Sequence, residues 1–208
     1  MQIIYVYAWQ QFICYTFILV SGISWNFSKK HNFKRGFLLN FWGIVISFVT
    51  YIFTPQFVIW FGILNFLGCS IIIMVFLDRF LSKVSPLAGI ILSIITFLLF
   101  RNISHGYIGL KSFSVISLPQ ELYNCKILTP FGFPFPEFKS SDYFPILPWF
   151  FLFCTGYYLW NFIKDNEKIQ KILFFNIPVL SKIGIHSLPI YLLHQPLLIL
   201  ICICLFKI

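Results

Sequence analysis

Six apolar runs, separated by short polar or proline-marked gaps and by one long interval, set the outline of this 208-residue chain. Each run is close to the roughly 20 residues needed to cross a bilayer as a helix. The predicted spans cover 3–25, Gly36 to Phe53, 56–77, Val84 to Phe100, 143–163 and about 183–206. The second stops before Pro55, because a residue preceding proline is driven out of the helical region. The runs are unbroken and not alternating, which excludes the ten-residue segments of a membrane β-barrel. The predicted fold class is therefore all-α: a polytopic transmembrane helical bundle of about six spanning helices. A long extracytoplasmic loop fills 101–142, and 1–208 forms a single integral membrane domain.

Composition agrees with the pattern. The chain is 59% hydrophobic and 10% charged, with a mean hydropathy of +0.88, too little charge to cover a soluble domain of this size. The net charge of +9 does not indicate nucleic acid, because Lys and Arg fall in short clusters between apolar runs. That placement reads as topology signalling. Lys29, Lys30, Lys34 and Arg35 put 26–35 on the cytoplasmic side, joined by Arg79 and Lys83 and by Lys164, Lys168, Lys171 and Lys182. The Thr54–Pro55 connection, the 101–142 interval and both termini are then extracytoplasmic, with the lipid bilayer as the principal partner. A first span with its N-terminus outside has no upstream charge to place it. The expectation is that a further helix, inserted from the inside, precedes Met1, so that the domain is N-terminally truncated here. Five of the six cysteines sit within apolar runs and Cys125 stands alone in the interval. No Cys/His ligand spacing points to a metal.

Two stretches carry candidate chemistry. In 127–151, Pro130, Pro134, Pro136, Pro145 and Pro148 alternate with aromatics, and such a segment is expected to fold back over the membrane surface as a lid. Asp142 lies where this lid meets the fifth span, as a site residue, a helix N-cap, or both. Pro148, within "LPW", is expected to kink that span. In the sixth span, Ser187, Tyr191, His194 and Gln195 share one helical face, with His186 on its flank. His194 falls about 17 Å along the helix, near mid-bilayer. Pro196 frees the carbonyl of Leu192 beside it. A polar stripe of this kind must face the bundle interior, where it serves either as interhelical glue or as a cavity with neutral His194 as general base.

"GIHSLPIYLLHQPLLI" and "FGFPFPEFKSSDYFPILPWFFLFCTGYYL" together closely resemble bacterial membrane proteins grouped with the catalytic domain of heparan-α-glucosaminide N-acetyltransferase. "FILVSGISW" and "WFGILNFLGCS" are similar to further family segments, in order. The resemblance implies a membrane-embedded acyltransferase of the bacterial cytoplasmic membrane, with acetyl-CoA or another acyl-CoA as donor, no metal, and a glycan or other cell-envelope acceptor. Carried over by motif, Asp142 and His194 become the catalytic residues. Tyr191 and Gln195, carried over likewise, are candidate substrate-binding residues, with Ser187, Tyr143, Trp149 and His186 as candidates beside them. The family's usual first helix, with its acidic–arginine–glycine signature and a downstream histidine, is not matched. Two rivals stay open: a small transporter or flippase using the same midplane polar residues, and a non-catalytic membrane fragment in which the His194 stripe simply packs.

Overall fold

A computed structural model describes residues 2–110, 113–167, 169–170, 178, 182, 184, 186–190 and 192–193. They fall into two units that divide between Asp165 and Asn166. The first contains helices α1 (Gln2–Trp25), α2 (Asn32–Phe53), α3 (Ile63–Leu81) and α4 (Pro86–Phe100), strands β1 (Tyr107–Leu110) and β2 (Phe113–Ser117), the single-turn α5 (Glu121–Asn124), and α6 (Ile146–Ile163).

Segments Lys29–Phe53, Ile63–Leu81, Pro86–His105 and Ile146–Ile163 are long and apolar enough to cross a membrane. α1, at 24 residues, has the length. The span expected at 183–206 lies largely outside the described residues, which show a helical turn over 187–190. In it the Ile190 N–H donates to the His186 carbonyl at 3.0 Å.

Local chemistry fixes the helix ends. α2 stops at Thr54 because Pro55 follows, and α4 starts with Pro86 in its first turn, where a missing N–H costs nothing. The buried Asn32 donates from Nδ2 to the Trp25 carbonyl at 2.8 Å, closing the end of α1. Two boundaries differ from the sequence pattern. α3 begins at Ile63, not 56, because Val58–Gly62 is held outside the helix, with Phe61 at a φ of 54°. α6 begins at Ile146, with Pro145 as its N-cap residue. Pro148 therefore falls in the first turn, whose N–H groups have no intrahelical partner, and it helps start the helix without the expected kink.

α6 is the centre of the unit. Leu152, Phe153, Cys154, Thr155, Gly156, Tyr157 and Tyr158 are consecutive and all buried, so the helix is covered on every side. It packs against α1 and α4, while α2 packs against α3. Glycines set these approaches. A β-carbon on Gly156 would collide with the Leu19 carbonyl, and one on Gly22 would come within 3.1 Å of the Gly156 Cα. A β-carbon on Gly36 would lie 2.9 Å from the Gly68 carbonyl, so α2 and α3 also meet backbone to backbone. Phe37, Phe48, Leu92 and many other apolar side chains of α2 and α4 remain exposed, as a lipid-facing surface requires.

The 101–142 interval carries more structure than its sequence suggests. β1 and β2 pair as an antiparallel hairpin with an irregularity between Ile108 and Gly109. Tyr123 donates its hydroxyl to the Ile103 carbonyl, and Asn102 Nδ2 reaches the Gly109 carbonyl at 2.7 Å.

The α1–α6 crossing gives a direct test. Gly156→Leu should destabilise the protein by about 1–3 kcal/mol through overpacking. Gly184→Ala, where an added β-carbon meets no heavy atom within 4 Å among the described residues, should change stability by less than about 0.5 kcal/mol. Thermal unfolding in detergent measures both.

Candidate functional site

The segment 140–144 runs alongside 58–61 in the same direction. The Ser141 N–H donates to the Val58 carbonyl at 3.0 Å, and the Phe144 N–H to the Phe61 carbonyl at 3.2 Å. Between them, the Ser140 hydroxyl accepts from the Trp60 N–H at 2.9 Å and donates to the Trp60 carbonyl at 3.0 Å. Asp142 is thereby aimed at the start of α3, where its Oδ2 accepts the Ile63 N–H at 3.2 Å. The carboxylate is indeed a helix cap, but of α3, some 80 residues earlier in the chain, and not of the fifth predicted span. A negative charge suits this position, because first-turn N–H groups and the helix dipole both favour it. Gly62 makes the approach possible: a β-carbon there would sit 3.0 Å from Oδ2 and 2.7 Å from Ile59.

Burial pushes the Asp142 carboxyl above its ordinary range, and the Ile63 N–H offsets only part of that. Oδ1 takes no hydrogen bond among the described residues. A half-buried carboxyl raised above its ordinary range, with one oxygen outside the cap, is the kind of group that serves as a proton donor or acceptor.

Tyr143 points the other way. Its hydroxyl donates to the Thr129 carbonyl, and burial raises its pKa, opposed by a hydrogen bond with Ser104. It is a neutral donor that ties the Lys126–Phe131 turn to 140–144. Trp149 packs among rings, with Tyr15 at 5.6 Å, Phe97 at 5.7 Å and Phe144 at 5.1 Å between centroids. It joins α1, α4 and α6 as a packing residue. The side chains of His186 and Ser187 are exposed in the second unit. Tyr191, His194 and Gln195 lie outside the described residues.

Residues not singled out by sequence complete the picture. A cavity of about 500 Å³ opens between α2, Trp60, Phe61 and the Lys126–Phe138 stretch. That volume suits a small ligand, and six of its twelve lining residues are aromatic. Asn65, in the first turn of α3, and Thr129 both line it, and each keeps a buried side-chain oxygen without a partner among the described residues. Asn65 is one of the few amides in the apolar runs, and Ser140 directly precedes the Ser141–Asp142 pair. Those were the available signals.

A second polar cluster sits at the opposite end of α3. Lys29 pairs with Asp78 at 3.0 Å, Asp78 also accepts from the Tyr157 hydroxyl at 2.6 Å, and the Lys29 ammonium lies 5.1 Å from the Trp25 ring centroid. The 26–35 and 78–83 loops thus share one end of the bundle. Thr54–Val58 and the 140–144 segment share the other.

A family model described as heparan-alpha-glucosaminide N-acetyltransferase, catalytic, matches residues 2–196. The chain belongs to this family. Neither the curated proteins nor the solved structures give a match. Family membership, together with the apolar helices, makes the chain a membrane protein of acetyltransferase-like function, and the family's donor, acetyl-CoA, fits by resemblance.

The Asp142 cap predicts a pH dependence. A carboxyl whose pKa is higher in the folded than in the unfolded state leaves the native protein binding more protons. Stability then falls as pH rises from the ordinary value of 3.8 through the higher folded value. Asp142→Asn, which keeps an acceptor but cannot ionise, should gain stability relative to the parent across that window and hold the gain above it. Asp142→Ala should lose the cap and about 1 kcal/mol. Unfolding midpoints from pH 4 upward check this; a parent and Asp142→Asn pair that track in parallel would refute the raised carboxyl.

Proposed function

We propose that this chain is a membrane-embedded acetyltransferase. In this reading it takes the acetyl group of cytosolic acetyl-CoA and delivers it to an amine or hydroxyl of a glycan or other envelope acceptor across the membrane. The observation that carries the reading, beyond family membership, is the division of polar groups between the two ends of α3. One end bears Lys29, Lys30, Lys34 and Arg35, of which Lys29 is engaged by Asp78. Lys30 and Lys34 are exposed there, suited to the phosphates of a CoA donor. The other end bears Asp142 and a ligand-sized aromatic cavity. A donor and an acceptor on opposite faces need such a two-ended protein.

The chemistry assigns His194 to the proton of the acceptor. As the acceptor nitrogen or oxygen attacks the thioester carbon, neutral imidazole takes its proton, the C–S bond breaks, and the CoA thiolate leaves and is protonated in turn. In the covalent variant, the imidazole itself attacks and carries the acetyl group before the acceptor receives it. Ser187, Tyr191 and Gln195 would orient the reactants along the same helical face. Asp142 would relay a proton at the acceptor end.

In proteoliposomes supplied with radiolabelled acetyl-CoA, His194→Ala should lower acetyl transfer by at least about 100-fold, with the unfolding midpoint unchanged. A loss of only a few-fold would make His194 a packing residue, worth about 0.6 kcal/mol as interhelical glue. Substrate movement that needs no CoA would make the protein a transporter instead.

The same reading fixes orientation. With the native cysteines replaced, Lys139→Cys should label from outside intact cells with a membrane-impermeant maleimide, and Ser28→Cys should label only after permeabilisation. The reverse pattern would overturn the assigned faces.

A further inference from the structure

The cavity beside Trp60 opens sideways. Ile44 and Phe48 line it, yet each is 64% exposed on the outer face of α2. In a membrane that face meets lipid, so an amphiphile in the bilayer can reach the cavity without passing through water. The facing wall is the Lys126–Phe131 turn. Lys126 makes no ion pair among the described residues, and its ammonium lies 5.3 Å from the Phe135 ring centroid at the cavity edge. The next residue, Ile127, is 80% exposed. A cation beside a projecting aliphatic side chain is the pairing that sits at headgroup level, with the apolar group in the acyl region and the charge among phosphates. Further in, Asn65 and Thr129 are more than nine-tenths buried, and their unpartnered oxygens belong to residues of the cavity wall. Asn65 Oδ1 lies against Gly43 of α2, where an added β-carbon would stand 2.0 Å from it, so the Thr129 hydroxyl is the one of the two left to a hydroxyl-bearing ligand.

We propose that this cavity binds the phosphate-bearing headgroup of a membrane lipid, drawn in laterally past α2. The phosphate meets Lys126, a headgroup hydroxyl meets Thr129, and the chains lie along Ile44 and Phe48. The proposal rests on the transferase reading in one respect: it makes the acceptor lipid-linked instead of soluble.

The test is native mass spectrometry of the full chain, released from phosphatidylcholine nanodiscs containing a minor fraction of phosphatidylglycerol. Phosphatidylglycerol should be retained in preference to phosphatidylcholine. Lys126→Ala and Thr129→Val should each reduce that preference about tenfold, the equivalent of one good contact. Soluble sn-glycerol 3-phosphate should fail to displace the lipid. Thr129→Val should also leave the unfolding midpoint of the delipidated protein unchanged or raised, because it deletes an unpaired hydroxyl; a purely structural threonine would show a fall. Equal retention of the two lipids, or variants that bind like the parent, would overturn the site. Displacement by glycerol phosphate would make it a soluble-anion site and end the lipid assignment. No acetyl-CoA enters this assay. A chain that selects the anionic lipid but transfers no acetyl group ends the transferase reading and leaves the site standing; one that transfers acetyl without lipid selection does the reverse.

Discussion

Five residues of non-helical backbone, Val58–Gly62, constrain the rest of this protein. Between two helices of an apolar bundle, such a stretch exposes N–H and C=O groups that cost several kcal/mol each if water cannot reach them. The chain satisfies them with a second irregular stretch, 140–144, laid alongside in parallel: backbone bonds at Val58 and Phe61, the Ser140 hydroxyl on both polar groups of Trp60, and the Asp142 carboxylate on Ile63. Neither stretch is satisfied alone. Their pairing sets where α3 starts and leaves Pro145 positioned to start α6. It also turns Trp60 and Phe61 into one wall of the cavity. The site is therefore built at the one place where the bundle departs from regular helix.

The helices hold that pairing rigid. α3 is tied at its start by Asp142 and near its end by Asp78, which meets Lys29 and Tyr157. A half-exposed ion pair contributes at most about 1 kcal/mol by itself. Its effect here is to fix rotation about the α3 axis, because Tyr157 belongs to the fully covered α6 and the α3 carbonyls reach the same layer: Trp25 donates to Ile71 at 3.3 Å, and Tyr158 to Leu81 at 3.1 Å. Backbone-level packing at Gly22–Gly156 and Gly36–Gly68 leaves little room to slide. The two polar ends of α3 are thus coupled through one stiff element.

The helices and proline-determined boundaries were legible in the sequence, because apolar runs and missing N–H groups act locally. Pro55 stopped α2 as its chemistry requires, and Pro86 opened α4. What the sequence concealed was non-local. Nothing around residue 60 announces that Ser140 and Asp142 will hold Val58–Gly62 out of the helix, so the apolar run read as helical from 56. Pro148 read as a kink because its distance from the true start of α6 depends on the same pairing. Asp142 was legible as a cap but not as the cap of α3, since the two are 79 positions apart. The cavity residues Asn65 and Thr129 were invisible for another reason: an amide and a hydroxyl are ordinary in such segments, and only their missing partners single them out. Helical periodicity and motif single out Tyr191, His194 and Gln195, which lie outside the described residues.

Asp142 carries two demands that would conflict in most settings, since a capping carboxylate that changes protonation ordinarily weakens its cap. The geometry separates them. Oδ2 holds the Ile63 N–H, and Oδ1 takes no hydrogen bond among the described residues. In the ionised form Oδ2 accepts as a carboxylate oxygen; with a proton on Oδ1, it still accepts as a carbonyl oxygen. Burial, which raises the carboxyl pKa, also brings the two forms closer in free energy. In the proposed chemistry, Asp142 can therefore take and return a proton while the start of α3, and with it the Trp60–Phe61 wall, stays in place. A glutamate would not serve equally, because its extra methylene must fit beside Gly62, where even a β-carbon would crowd the carboxylate.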